Sequence, residues 1–152
     1  MAALAAQQDD LTTLVSSLDA DGWQTPSRCP GWSVADVVLH LAQTDEMAVA
    51  SLQGRFGEVL DRFTAAMGAA TSSDDGAAHL VASERGDPGP VVLQRWQASA
   101  SALLDELRDV DPGRRVAWVA GELSAQTLAT TRLTETWIHT GDVAVPLGHE
   151  EV

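Results

Sequence analysis

The sequence predicts an all-α protein: a four-helix bundle whose second and third helices are joined by a long crossover. Three observations predict it. Four stretches of similar length carry apolar residues at helical spacing. A small, polar, Gly-rich stretch, residues 68–90, separates the second from the third. No segment alternates polar and apolar residues in the period of a sheet, and no internal repeat occurs.

The first helix is expected over residues 3–20, where Leu4, Leu11, Leu14, Val15 and Leu18 recur at three, four and seven. Asp21-Gly22 ends it, and GWQTPSRCPGW, with two Pro and two Gly, is a loop. Trp23 and Trp32 flank this loop and pin it to the bundle end. Ser33 caps the second helix, SVADVVLHLAQTDEMAVASL, and Asp36 suits its positive N-terminus. Val34, Val37, Leu41, Ala48 and Leu52 share one face, and His40 lies at its edge beside Met47. Asp45 is out of place, projecting near Val34, Val38 and Leu52. Its carboxylate must be paired, bound or at the wet end of the bundle, because burying it alone costs several kcal/mol.

GEVLDRFTAAM, with Val59, Leu60, Phe63 and Met67, continues the second helix after a bend at Gly54 and Gly57. The connection 68–90 follows, with a short helix around 76–84. The third long helix is 90–109, along a seam of Val92, Trp96, Ala100, Leu103 and Leu107, and Asp111-Pro112-Gly113 stops it. RRVAWVAGE, residues 114–122, reads as β-leaning or irregular. Ser124 caps the fourth helix, SAQTLATTRLTETWIHTGDVAVPL, which Pro146 and Gly148 end.

At 152 residues the chain suits one domain, 1–152, with a single core. It has no long uncharged apolar run to span a membrane, and no basic, apolar leader of a secretory signal. One cysteine, Cys29, excludes an internal disulfide framework and suits a reducing cytoplasm. A formal net charge of -13 and no basic stripe disfavour nucleic acid as a partner.

The chemistry-bearing stretch is Thr131 to Asp142, TRLTETWIHTGD. Glu135 and His139 stand four residues apart, one turn of helix, and so share a face. Thr131, Asp142, Glu135, Leu128, His139 and Arg132 fall in one sector of roughly 100°. In one reading this stripe is a solvated face and the Glu–His pair contributes about 0.3–0.5 kcal/mol. In the other it holds a divalent metal, since a carboxylate and an imidazole so placed reach one ion. The wide apolar arc opposite the stripe and its mixture of His, Arg and carboxylates weigh against a plain surface helix. A metal needs a third ligand, and His40 is the candidate; its alternative is a core-edge histidine bonded to a backbone carbonyl. His79 and His149 read as solvent histidines, and Cys29 as a loop-packing residue.

CPGWSVADVVLHLA, residues 29–42, with TDE just beyond, resembles the second-helix signature of the mycothiol-dependent maleylpyruvate isomerase metal-binding domain family, in the DinB/YfiT-like superfamily. ATTRLTETWIHTGDVAVPLG, residues 129–148, resembles that family's last helix, an R-x-x-E-x-x-x-H-x-x-D-V pattern. The resemblance implies a DinB-like bundle in up-down-down-up order with a divalent metal near one end. By motif position His40, Glu135 and His139 correspond to the ligands, a three-ligand set that leaves an open position. Zinc is the usual occupant, and nickel, iron or manganese suit such donors too. The resemblance further implies mycothiol as a thiol cosubstrate, a small-molecule substrate, and transferase or isomerase chemistry. Arg132 then binds a substrate carboxylate or pairs with Glu135 or Asp142. Asp45 acts as a general acid/base, steadies a ligand histidine, or makes an interhelical hydrogen bond. Many members carry a C-terminal α/β domain, expected here to be absent or removed, and a homodimer is compatible with the pattern. Two rivals remain: a thiol-independent metal-assisted lyase, hydrolase or cyclase of specialised metabolism, and a non-catalytic metal-binding or stress protein.

Overall fold

A computed structural model of the chain describes residues 1–67, 72–119 and 121–149. Its elements run α1 (Ala2–Val15), α2 (Ala20–Gln24), α3 (Val34–Leu52), α4 (Phe56–Met67), α5 (Ser73–Glu84), α6 (Gly89–Asp109), β1 (Arg115–Trp118), β2 (Gly121–Ser124) and α7 (Ala125–Ala144). The protein is mostly helical, as the periodicity predicts. The long helices α1, α3, α6 and α7 pack on one another, with α3 against both α6 and α7, and α1 against both as well.

Two apolar clusters fill the two ends. One gathers Leu11 and Val15 of α1, Val34, Val37, Val38, Leu41 and Ala42 of α3, Val92, Trp96 and Ala100 of α6, and Val143 of α7. The other gathers Leu4, Ala48, Leu52, Leu103, Leu107, Ala125 and Leu128. The first halves of α3 and α6 thus meet the late part of α1 and the last turns of α7.

α3 is the central helix, buried on nearly every side. Its start is set locally by a capping box. The Ser33 hydroxyl accepts from the Asp36 N–H at 3.2 Å, and the Asp36 carboxylate accepts from the Ser33 N–H at 3.0 Å. Gly54, at φ 74°, ends this segment and detaches α4 as a separate helix, where the sequence suggested a bent continuation. The side chains of Phe63 and Met67 and residues 68–71 lie outside the described residues, so part of the expected seam and connection does too.

Three boundaries differ from expectation for physical reasons. The first helix stops at Val15, short of residue 20, because Asp19 starts a new turn by accepting from the Gly22 N–H at 2.8 Å. That break swings Trp23 inward onto Gly89, where an added Cβ would meet the indole at 2.1 Å. α5 begins at Ser73, earlier than predicted, with the Ser72 hydroxyl capping it. The RRVAWVAGE stretch resolves into an antiparallel hairpin in which Arg115 faces Ser124 and Trp118 faces Gly121; Ala120 lies outside the described residues. The Ser51 hydroxyl donates to the Ala117 carbonyl and ties the hairpin to α3.

Candidate metal centre

α7 turns its charged stripe inward. Its exposed large apolar side chains are Trp137 and Ile138, whereas Arg132 is buried and Glu135, His139 and Asp142 are half-buried. The solvated-face reading therefore does not hold, and the stripe meets α3 at His40.

The His40 and His139 Nε2 atoms lie 3.7 and 3.6 Å from Glu135 Oε2, and the two rings stand nearly perpendicular at 5.1 Å. One ligand atom from each of the three lies within 4.8 Å of the others. A tetrahedral ion with bonds of about 2.0–2.2 Å separates its ligands by about 3.4 Å, so small side-chain adjustments close this set around one ion. The donor chemistry also fits. Burial, then the charges of His139 and Arg132, holds His40 below the usual histidine range, which favours the neutral ring with a free lone pair. Glu135 lies well below the carboxylate range because His139 and then His40 hydrogen-bond it. On His139 burial works against charge, but its bonds to Cys29 and Glu135 outweigh this and raise it to about 10, so without a metal the ring is protonated and an ion must displace the Nε2 proton. Glu135 is then the anion between a neutral imidazole and an imidazolium.

These residues line a cavity of about 750 Å³, whose walls include Cys29, Trp32, Trp118 and Arg132. Trp32 packs on His40 at 5.1 Å. Arg132 is 4% exposed, stacks 5.2 Å over the Trp118 ring, and has no hydrogen-bond partner at Nε or Nη1. Asp45 is 1% exposed and has no partner at Oδ2. Burial raises the Asp45 carboxyl to about 7, and the Arg132 cation opposes that rise without an ion pair forming between them. Asp45 is not part of the cavity wall.

Sequence reasoning missed the second set of contacts around His139. Asp142 Oδ2 lies 3.0 Å from His139 Nδ1 and accepts from the Cys29 thiol at 3.2 Å. Cys29 thus does more than pack its loop. Asp142 was visible on the stripe, but Cys29 is 110 residues from His139 and no local pattern links them. Cys29, His139 and Asp142 form a second group of donors within 4.8 Å. His79 and His149 are exposed, as expected of solvent histidines.

The family described as the mycothiol maleylpyruvate isomerase N-terminal domain matches residues 4–144. The chain belongs to this family. Two proteins of Mycobacterium tuberculosis, one from strain H37Rv and one from strain CDC 1551, both described as uncharacterized, are 38% identical to it over 148 residues. That alignment takes in 97% of this chain and 56% of each relative, so the chain spans little more than half their length. Among solved structures, the mycothiol-dependent maleylpyruvate isomerase and a histidine-to-alanine mutant of it share the fold, each at a TM-score of 0.69. Identity is 17% and 16%, covering 93% of this chain and 58% of theirs. No helix among the described residues is long and apolar enough to cross a membrane.

Proposed function

We propose that this member of the mycothiol maleylpyruvate isomerase N-terminal domain family is a divalent-metal-dependent enzyme, a thiol-dependent transferase or isomerase acting on a small molecule. His40, Glu135 and His139 are the metal ligands, with zinc first among the candidate ions, and nickel, iron or manganese compatible. The observation that carries the reading is the convergence of three donor atoms, 3.6–3.7 Å from neighbour to neighbour, in the wall of a 750 Å³ cavity beside a buried arginine. Family membership supports the thiol, mycothiol, as cosubstrate.

A metal held there supplies Lewis acidity and keeps a bound thiol ionised at neutral pH. The chain's own residues do the rest. Burial keeps His40 neutral, so its Nε2 lone pair is available. Glu135 stays ionised between the two imidazoles. Arg132 sets a fixed cation in the cavity wall, stacked over Trp118, and orients an anionic group of the substrate. Trp32 covers His40 and limits the access of water to it.

Trp118 in the cavity wall favours a second reading, a thiol-independent lyase, hydrolase or cyclase using the same ligands. A non-catalytic bundle with a vestigial triad requires donor atoms too far apart to share an ion, and the spacing here argues against it.

Elemental analysis of protein purified without added metal tests the proposal. One equivalent in the wild type and none in His139→Ala is the expected outcome; no metal in either sinks it. Turnover and cobalt spectra that ignore saturating mycothiol would remove the thiol and leave the metal-assisted alternative.

A further inference from the structure

The loop between α2 and α3 touches both histidines of the proposed site, and one carboxylate joins it to α7. The loop is closed by its own bonds. Val34 N–H donates to the Thr25 carbonyl at 2.9 Å, Ser27 N–H to Trp32 at 2.9 Å, and Pro26 bridges Ser33. Gly31, at φ 80°, makes the tight turn inside it. From this frame Trp32 lies against the His40 ring at 5.1 Å. Arg28 N–H donates to the Asp142 backbone carbonyl at 3.0 Å, and the Cys29 thiol donates to the Asp142 carboxylate at 3.2 Å. The same carboxylate oxygen sits 3.0 Å from His139 Nδ1.

An imidazole binds a metal through one nitrogen and must hold its proton on the other. Asp142 accepts at Nδ1, so the Nε2 lone pair of His139 is the one turned to Glu135 and His40. Without the carboxylate, His139 can rotate or change tautomer, and its Nε2 is no longer preset.

We infer that Asp142 is the positioning residue of His139, and that Cys29 and the closed Thr25–Ser33 loop hold Asp142 in place. The inference rests on the metal reading proposed above. It gives the lone thiol of the chain a structural duty beside the site. A second possibility, that Cys29, Asp142 and His139 Nδ1 themselves ligate an ion, places the His139 proton on Nε2, toward Glu135, and so excludes His139 Nε2 as a ligand of the first site.

Zinc affinity, measured by competition with a chromogenic chelator on the full chain, tests it together with the absorption spectrum of the cobalt-substituted protein. Asp142→Ala is expected to bind zinc about 10–100-fold more weakly and to shift the cobalt d–d bands. Asp142→Asn, whose amide oxygen still accepts from Nδ1, falls between. It also serves if the alanine variant fails to fold, as judged by circular dichroism of the metal-free protein. Cys29→Ser, whose hydroxyl still donates to Asp142, keeps the wild-type affinity. Wild-type affinity in folded Asp142→Ala and Asp142→Asn overturns the inference and leaves the ligand set standing. A thiolate-to-cobalt charge-transfer band in the wild type overturns it too, by making Cys29 a ligand. Absence of metal from the wild type removes the ligand set and the inference together.

Discussion

Asp45 shows how a single residue can be half legible. Helical angle alone puts its carboxylate on the apolar side of α3, and physics then demands a partner. The opposite charge that acts on it is Arg132, 87 positions later (132 less 45), on a helix whose packing no local pattern reveals. Burial raises the Asp45 carboxyl to about 7, against Arg132, with Trp96 of α6 facing it and Glu135 and Glu46 adding to the rise. The folded state therefore keeps a proton that the unfolded chain has released. Such a group stabilises fully below its unfolded value, near 3.8, and that contribution is lost as pH rises through about 7. Asp45→Asn removes the titration. Urea unfolding of the metal-free protein between about pH 4 and pH 7 should show wild-type stability falling relative to the variant, by on the order of a few kcal/mol. Parallel pH profiles for the two proteins would contradict this account of Asp45.

α7 carries the same lesson for an element. Its periodicity is readable, but periodicity does not say which face is inside. A stripe of Arg132, Glu135, His139 and Asp142 passes for a solvent face until α3 supplies His40 and the loop supplies Cys29. The outward face then keeps Trp137 and Ile138. Helix starts are more legible, because caps are local: Ser33 with Asp36, and Ser124 on α7, form as the sequence says. Ser33→Ala should cost about 1 kcal/mol in thermal unfolding, by leaving the first turn of α3 uncapped. Gly89 illustrates the opposite case. It opens α6 with its Cα against the Trp23 indole, so Gly89→Ala forces the ring or the helix to move. A loss of about 1–3 kcal/mol is expected, the cost of overpacking, and an unchanged melting temperature would mean that Trp23 does not sit on Gly89.

At the scale of the molecule, the proposed site joins segments that meet only on folding: α3, α7 and the loop before α3. A metal that binds this arrangement and not the open chain must stabilise it. At a free concentration about a hundredfold above its dissociation constant, the gain is about 2.7 kcal/mol, or roughly 5–10 °C in melting temperature. Differential scanning calorimetry with zinc and then with chelator should show the rise and its reversal, and His139→Ala should show neither. A wild-type transition indifferent to both would count against the ligand set.

What the sequence determined by itself is everything that rests on neighbours within a few turns. That includes the helical class, the capping of α3 and α7, the stop at Asp111-Pro112-Gly113, and the placing of Glu135 beside His139. The family signature at residues 29–42 and 129–148 added His40 from afar. Tertiary structure alone decided that the α7 stripe points inward, that Asp45 and Arg132 offset each other's burial, and that Cys29 reaches Asp142. The reason is physical. Backbone hydrogen bonds and caps are local, whereas the desolvation of a charge depends on which surface the rest of the chain lays over it.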